Sequence, residues 1–171
     1  MRRWTFVGIA VIAVLFLGVA SRQHTRGLSL VVRSANLGGV LRSIADIDAV
    51  PIRERLVSLR VSDLSMRVRV YEPFGTPRQT VLLVSGLHPA GIDEPRLVSL
   101  ARTLAEANVT VVTPEIPELA RFEITPLLTD RIEEAAAWLA TASGLTPTGR
   151  IGLMGISFSG GLAIVAAGRP S

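Results

Sequence analysis

Three short apolar runs, each closed by a turn residue, limit what this chain can fold into more than any other feature. They are "TVLLVSG", ending at Gly86, "VTVVTP", ending at Pro114, and "RIGLMG" at 150–155. Each is too short to stand as a lone helix, and continuous apolar runs of this kind suit strands covered on both faces of a parallel sheet. Two helical patterns separate them. The first begins near Asp93 with Pro95 in its opening turn, shows Leu97, Leu100, Ala101, Leu104 and Ala105 on one face, and ends at Asn108. The second takes Thr125 as cap and Pro126 as first residue, buries Leu128, Ile132, Ala135 and Leu139, and stops at Gly144. Strand, helix, strand, helix, strand predicts an α/β domain: a mostly parallel sheet with flanking helices. Ligands of such sheets bind at the carboxyl ends of the strands. Both "SGLHPAG" and "GISFSGG" fall there.

Upstream of residue 79 the hydrophobic period changes. Met66, Val68 and Val70 alternate with Arg67 and Arg69, which predicts a strand with one wet face, and the run Leu56 to Val61 pairs with it as an antiparallel hairpin through "SDLS". Pro51 marks a boundary. Before it, Leu28, Val31, Leu37, Leu41, Ile44 and Ile47 recur at roughly helical spacing, broken at Gly38-Gly39. The chain therefore divides into an amino-terminal segment, residues 1–27, a helical connector, 28–52, and an α/β domain, 53–171.

"WTFVGIAVIAVLFLGVA", residues 4–20, carries no charge and follows "MRR". At about 1.5 Å per residue such a helix covers roughly 25 Å, close to the ~30 Å hydrocarbon core of a bilayer, and Arg3 and Arg22 can snorkel to close the gap. The expectation is a single-pass anchor with the domain outside the cytoplasm. A signal peptide cleaved after Gly18-Val19-Ala20, giving a secreted protein, is the alternative.

Composition excludes several other classes. All 18 basic residues are Arg, but they form no basic run of five or more, so the net charge of +4 does not make a nucleic-acid footprint. There is no Cys, hence no disulfide and no thiolate metal site. No Lys is available for a P-loop and no G-x-G-x-x-G for a dinucleotide, so no cofactor is expected. Glu115, Glu118, Glu133 and Glu134 read as solvated carboxylates without metal spacing, and His88 as a loop residue, with ligand or base as its other roles.

The sharpest motif is Gly155-Ile156-Ser157-Phe158-Ser159-Gly160-Gly161. With it, and with the order of elements before it, the chain resembles the α/β-hydrolase family in its serine esterase and dienelactone-hydrolase-like branch, over about residues 53–168. The family pattern is G-x-S-x-G; here Ser159 occupies the fifth position. The resemblance implies Ser157 as nucleophile on a tight strand-to-helix turn, with the Phe158 N–H as one oxyanion donor and the Leu87 N–H as the other. The resemblance also implies Gly155, Gly160 and Gly86 as supporting positions, with Gly86 retained from the family's His-Gly stretch and Ser85 standing where that stretch commonly has His. The implied substrate is a small carboxylic ester.

In that family the acid and then the histidine follow the serine, but after Ser157 the sequence has no Asp, Glu or His. The expectation is a partial α/β-hydrolase fold, truncated after the nucleophile elbow. On that reading it is an inactive fragment of a membrane-anchored serine hydrolase. A non-catalytic, membrane-tethered scaffold or interaction module with the same fold is the alternative.

Overall fold

Ten residues of strand β1, Ile52–Val61, pair antiparallel with β2, Leu64–Pro73, from Ile52 opposite Pro73 to Val61 opposite Leu64. This computed structural model describes residues 24, 27–35, 37–61, 64–141, 143–146 and 148–169. The uncharged run 4–20 lies outside them, and among the described residues no helix is long and apolar enough to cross a membrane. The described chain forms two compact units, one ending at Ala49 and one beginning at Val50.

In the first unit residues 27–34 are helical and a short helix α1, Val40–Ala45, follows Gly39, whose φ of 71° interrupts the helical path. The apolar stripe expected there does not pack as a core: Leu28, Val31, Leu37, Leu41, Ile44 and Ile47 are all exposed, while Val32 and Ala45 are buried.

The second unit holds a five-stranded sheet in the order β1-β2-β4-β3-β5, where β3 is Gln79–Val84, β4 Val109–Pro114 and β5 Ile151–Gly155. β3 runs parallel to both β4 and β5, and β2 closes the other side of β4 antiparallel, with Val70 opposite Val112. The hairpin thus joins the parallel core through β2. Helices α2, Pro95–Glu106, and α4, Leu127–Thr141, provide the crossovers, with a short helix α3, Pro117–Ala120, between them; α5, Phe158–Gly168, follows β5.

Residue-by-residue alternation splits the apolar strands between two layers. Val70, Leu82, Val84 and Val112 face α4, which contributes Leu128, Ile132, Ala135 and Leu139, all fully buried. Tyr71, Leu83 and Val111 face the opposite way onto Leu97, Ala101 and Ala105 of α2. Burying both faces is what makes a run such as "VLLV" apolar throughout.

The helix ends follow the sequence reading with one departure. α2 begins near Asp93 as read, and Glu94 caps it: its carboxylate accepts the Arg96 N–H at 3.0 Å and the Leu97 N–H at 2.6 Å. The Thr125 hydroxyl, expected to cap α4, is buried and makes no hydrogen bond. At the far ends Asn108 and Gly144 adopt φ of 69° and 68°, the left-handed turns that stop the helices. Of the expected solvated carboxylates, Glu115 pairs with Arg67 at 2.5 Å and Glu133 with Arg169 at 3.2 Å. Glu118 differs, with Oε2 buried and unpartnered.

Candidate active site

β5 delivers the chain to Ser157, and the turn there is tight. Ile156 N–H still donates to Val84 O at 3.0 Å, continuing the ladder with β3; two residues later α5 has begun. The reversal is absorbed at Ser157, with φ 54° and ψ −120°, a conformation that costs an L-residue of order 1–3 kcal/mol and persists only where the surroundings impose it. They do so through glycine. A Cβ at Gly155 would lie 2.1 Å from Ser159 O and 2.6 Å from Gly160 N, so only glycine lets the helix start this close to the strand.

Ser157 is the N-cap of α5, yet its side chain makes no capping hydrogen bond. Its exposed hydroxyl therefore stays available at a helix amino terminus, where the partial positive charge of the first turn favours negative charge. Ser159 N–H and Gly160 N–H are taken by Ile156 O at 3.1 Å and Ser157 O at 3.0 Å; the Phe158 N–H forms none of the described loop and turn bonds.

The loop after β3 meets this turn directly. A Cβ on Gly86 would sit 3.2 Å from Ile156 O and 3.8 Å from Ser157 Cβ, so Gly86 lies against the elbow. The Leu87 N–H likewise has no partner among the described loop and turn bonds. Between the two loops lies a cavity of about 300 Å³. Leu87, Leu97, Leu100, Ile156 and Phe158 give it apolar walls, and Ser157, His88, Glu94 and Arg96 contribute polar groups. The structure thus brings together Ser157, Phe158, Leu87 and Gly86 around one cavity, with Gly155 and Gly160 packed against each other behind them. Among the described residues no cluster of His, Asp and Glu could hold a metal ion.

Two contacts were not foreseen. Ser159 is fully buried and its hydroxyl donates to Ser85 O at 2.5 Å, tying the elbow helix to the end of β3 across the sheet. Its position in the motif marked it as small, but nothing in the sequence identified its acceptor. Glu94 is the other. Desolvation works against its charge, but the Arg96 and Leu97 N–H groups, and positive charge at His88 and Arg96, hold its carboxyl below the ordinary carboxylate range.

No protein-family model matches the chain, and no curated protein matches it in sequence. Solved structures do match. A dienelactone hydrolase from Anabaena variabilis superposes with a TM-score of 0.58 at 24% identity, over 68% of this chain and 57% of its own. An esterase from Pyrobaculum calidifontis gives 0.56 at 25% identity, over 86% of this chain and 46% of its own. A thermostable carboxylesterase cloned from a metagenomic library gives 0.53 at 23%, over 86% and 47%. The fold is that of the α/β hydrolases. This chain spans about half the length of those enzymes. Within the α/β-hydrolase fold, β3, β4, β5 and α5 carry a strained serine on a strand-to-helix turn, with a glycine loop beside it.

Proposed function

We propose that Ser157 is the nucleophile of a serine hydrolase that acts on small carboxylic esters by acyl transfer. The observation that carries this reading is the elbow. Ser157 is held at φ 54° by a glycine that tolerates no Cβ, and its hydroxyl is not spent on capping the helix it begins. Strain of this kind is retained where it presents a reacting group.

The reaction runs in two balanced halves. Ser157 Oγ bonds to the acyl carbon as its proton passes to a general base, and the carbonyl π pair moves onto oxygen. The Phe158 and Leu87 N–H groups stabilise that oxyanion, a contribution of about 3–4 kcal/mol per donor in a water-excluded site. Collapse expels the alcohol, which takes the proton back. Water then attacks the acyl-serine by the same route and releases the acid. A hydroxyl needs the base because it is a poor nucleophile at neutral pH. The activity therefore belongs to a site completed by a general base, and residues 4–20 are proposed to tether that site to a membrane with the domain outside the cytoplasm.

Turnover of p-nitrophenyl esters tests this, measured on the chain alone and on a chimera completed with the carboxyl-terminal half of the Pyrobaculum esterase. The chain alone is expected to give no measurable turnover. The folded chimera is expected to turn over, and Ser157→Ala to abolish it. Turnover by the chain alone that disappears in His88→Ala would overturn the account of the base.

A further inference from the structure

The cavity beside Ser157 contains one imidazole, and its hydrogen bonding fixes which way it can move a proton. We propose that His88 serves this site as a hydrogen-bond donor through Nε2–H to an oxygen of the bound ester, and not as the base of Ser157. The proposal rests on the acyl-transfer reading and adds a role to the same pocket.

His88 opens a tight turn. Gly91 N–H donates to His88 O at 2.9 Å, and Pro89 holds the second position with φ pre-set near −65°. Ala90 sits at φ −77°, ψ −7°, as the third position of a type I turn requires. Pro89 has no N–H, so the first one inside the turn is that of Ala90. It donates to His88 Nδ1 at 3.2 Å. An imidazole nitrogen that accepts an N–H cannot also carry a proton, so the neutral ring holds its proton on Nε2. Acting as a base at Nε2 would require moving that proton to Nδ1 and giving up the Ala90 bond.

A second observation points the same way. In a nucleophile-activating triad a carboxylate accepts from Nδ1–H and holds the ring as an acceptor at Nε2. The carboxylate on this side of the cavity, Glu94, is committed elsewhere, with its two oxygens on the Arg96 and Leu97 N–H groups at 3.0 and 2.6 Å. Nδ1 of His88 meets a backbone donor instead, so the ring has the polarity opposite to that of a triad base. When the ring is charged, Nε2 still carries a hydrogen. In both states Nε2 carries a hydrogen, and His88 lines the same cavity as Leu87, Ser157 and Phe158. A donor placed there stabilises negative charge that develops on substrate oxygen.

Two measurements on the full chain in detergent micelles test this. Two-bond proton–nitrogen correlation spectra of the imidazoles, with His24→Gln for assignment, are expected to show His88 as the Nε2–H tautomer when neutral. Phenylphosphonate, a tetrahedral oxyanion, is expected to bind about tenfold more weakly to His88→Ala, the loss of one charge-assisted hydrogen bond. His88→Gln keeps an N–H donor and is expected to stay within about a factor of two of the wild type. An Nδ1–H tautomer overturns the donor role by itself, and so does a loss of binding in His88→Gln as large as in His88→Ala. A wild-type chain that binds no phenylphosphonate overturns the donor role together with the proposed reading of the pocket.

Discussion

The two edges of the sheet are built on opposite rules. β1 carries "RER" at 53–55, and those charges are paired: Arg55 with Glu72 at 2.7 Å, Arg53 with the same carboxylate at 3.3 Å, and Glu54 with Arg102 at 2.6 Å. Charge along an outer strand deters a second strand from docking. β5, "IGLMG", has none. Met154 on it is 40% exposed, and α5 beside it shows Ile164 at 76% and Val165 at 53%. β1 is thus finished as a surface. Among the described residues β5 has no strand on its outer side and presents an apolar helix face, and the elbow stands on it. The proposed nucleophile is consequently mounted on the strand whose outer side is least protected, with β3 as its only strand partner among the described residues.

The largest effect expected at the β5 edge comes from backbone crowding. Gly155→Ala places a methyl where the backbone of Ser159 and Gly160 lies and is expected to cost 4 kcal/mol or more, on the order of the extreme of single substitutions, seen as loss of a cooperative urea transition. Gly161→Ala, with open space around the added Cβ inside the same helix, is expected to be neutral or to stabilise by about 0.5–1 kcal/mol. If both variants unfold alike, the tight elbow is not what makes this edge fragile.

The contrast between edges is read most directly by sedimentation velocity. The chain without its first 27 residues is expected to self-associate through β5 and α5. Ile164→Arg with Val165→Glu is expected to weaken that association about tenfold or more, since each apolar side chain of this size is worth about 1.5–3 kcal/mol when covered. Arg53→Ala at the other edge breaks an exposed ion pair and is expected to change stability by about 0.5 kcal/mol or less. Equal responses at the two edges would erase the distinction.

Two smaller effects lie where the β5 end meets the β3 loop. Ser159→Ala removes the bond to Ser85 O and is expected to lower stability by about 1–2 kcal/mol in urea unfolding. Glu94→Gln weakens the α2 cap by about 1 kcal/mol at neutral pH. The Glu94 carboxyl titrates below the ordinary carboxylate range when folded. Its stabilisation is therefore complete above that range and lost as pH falls through the folded value. The difference between wild type and Glu94→Gln is expected to shrink under acid and to be unchanged between neutral and mildly alkaline pH.

Much of the fold was legible because its parts are periodic or punctuated. The strands ending at Val84, Pro114 and Gly155 appeared as apolar runs, and Leu128, Ile132, Ala135 and Leu139 spelled one helix face. The place of Ser157 on a strand-to-helix turn was legible because its glycine-flanked motif follows an apolar run and precedes a helical one. Tertiary facts were not. No local pattern says that β2 pairs with β4, that the Ser159 hydroxyl finds Ser85 O, or that the Glu94 carboxylate turns onto the first N–H groups of α2. Thr125 misled for a related reason: its residue type suits a cap, but its burial leaves the hydroxyl without a partner. The stripe from Leu28 to Ile47 had helical spacing, and the break at Gly39 kept it from forming one face.

The central claim is that the strained serine is the group that takes the acyl chain, and a fluorophosphonate label tests it most directly. The chimera that carries a complete carboxyl-terminal half is treated with the reagent and digested, and the adduct is located by mass spectrometry. A single adduct on Ser157, absent from Ser157→Ala and not formed rapidly by the 171-residue chain alone, is the predicted result. A folded chimera labelled at another residue, or labelled equally in Ser157→Ala, would contradict the account.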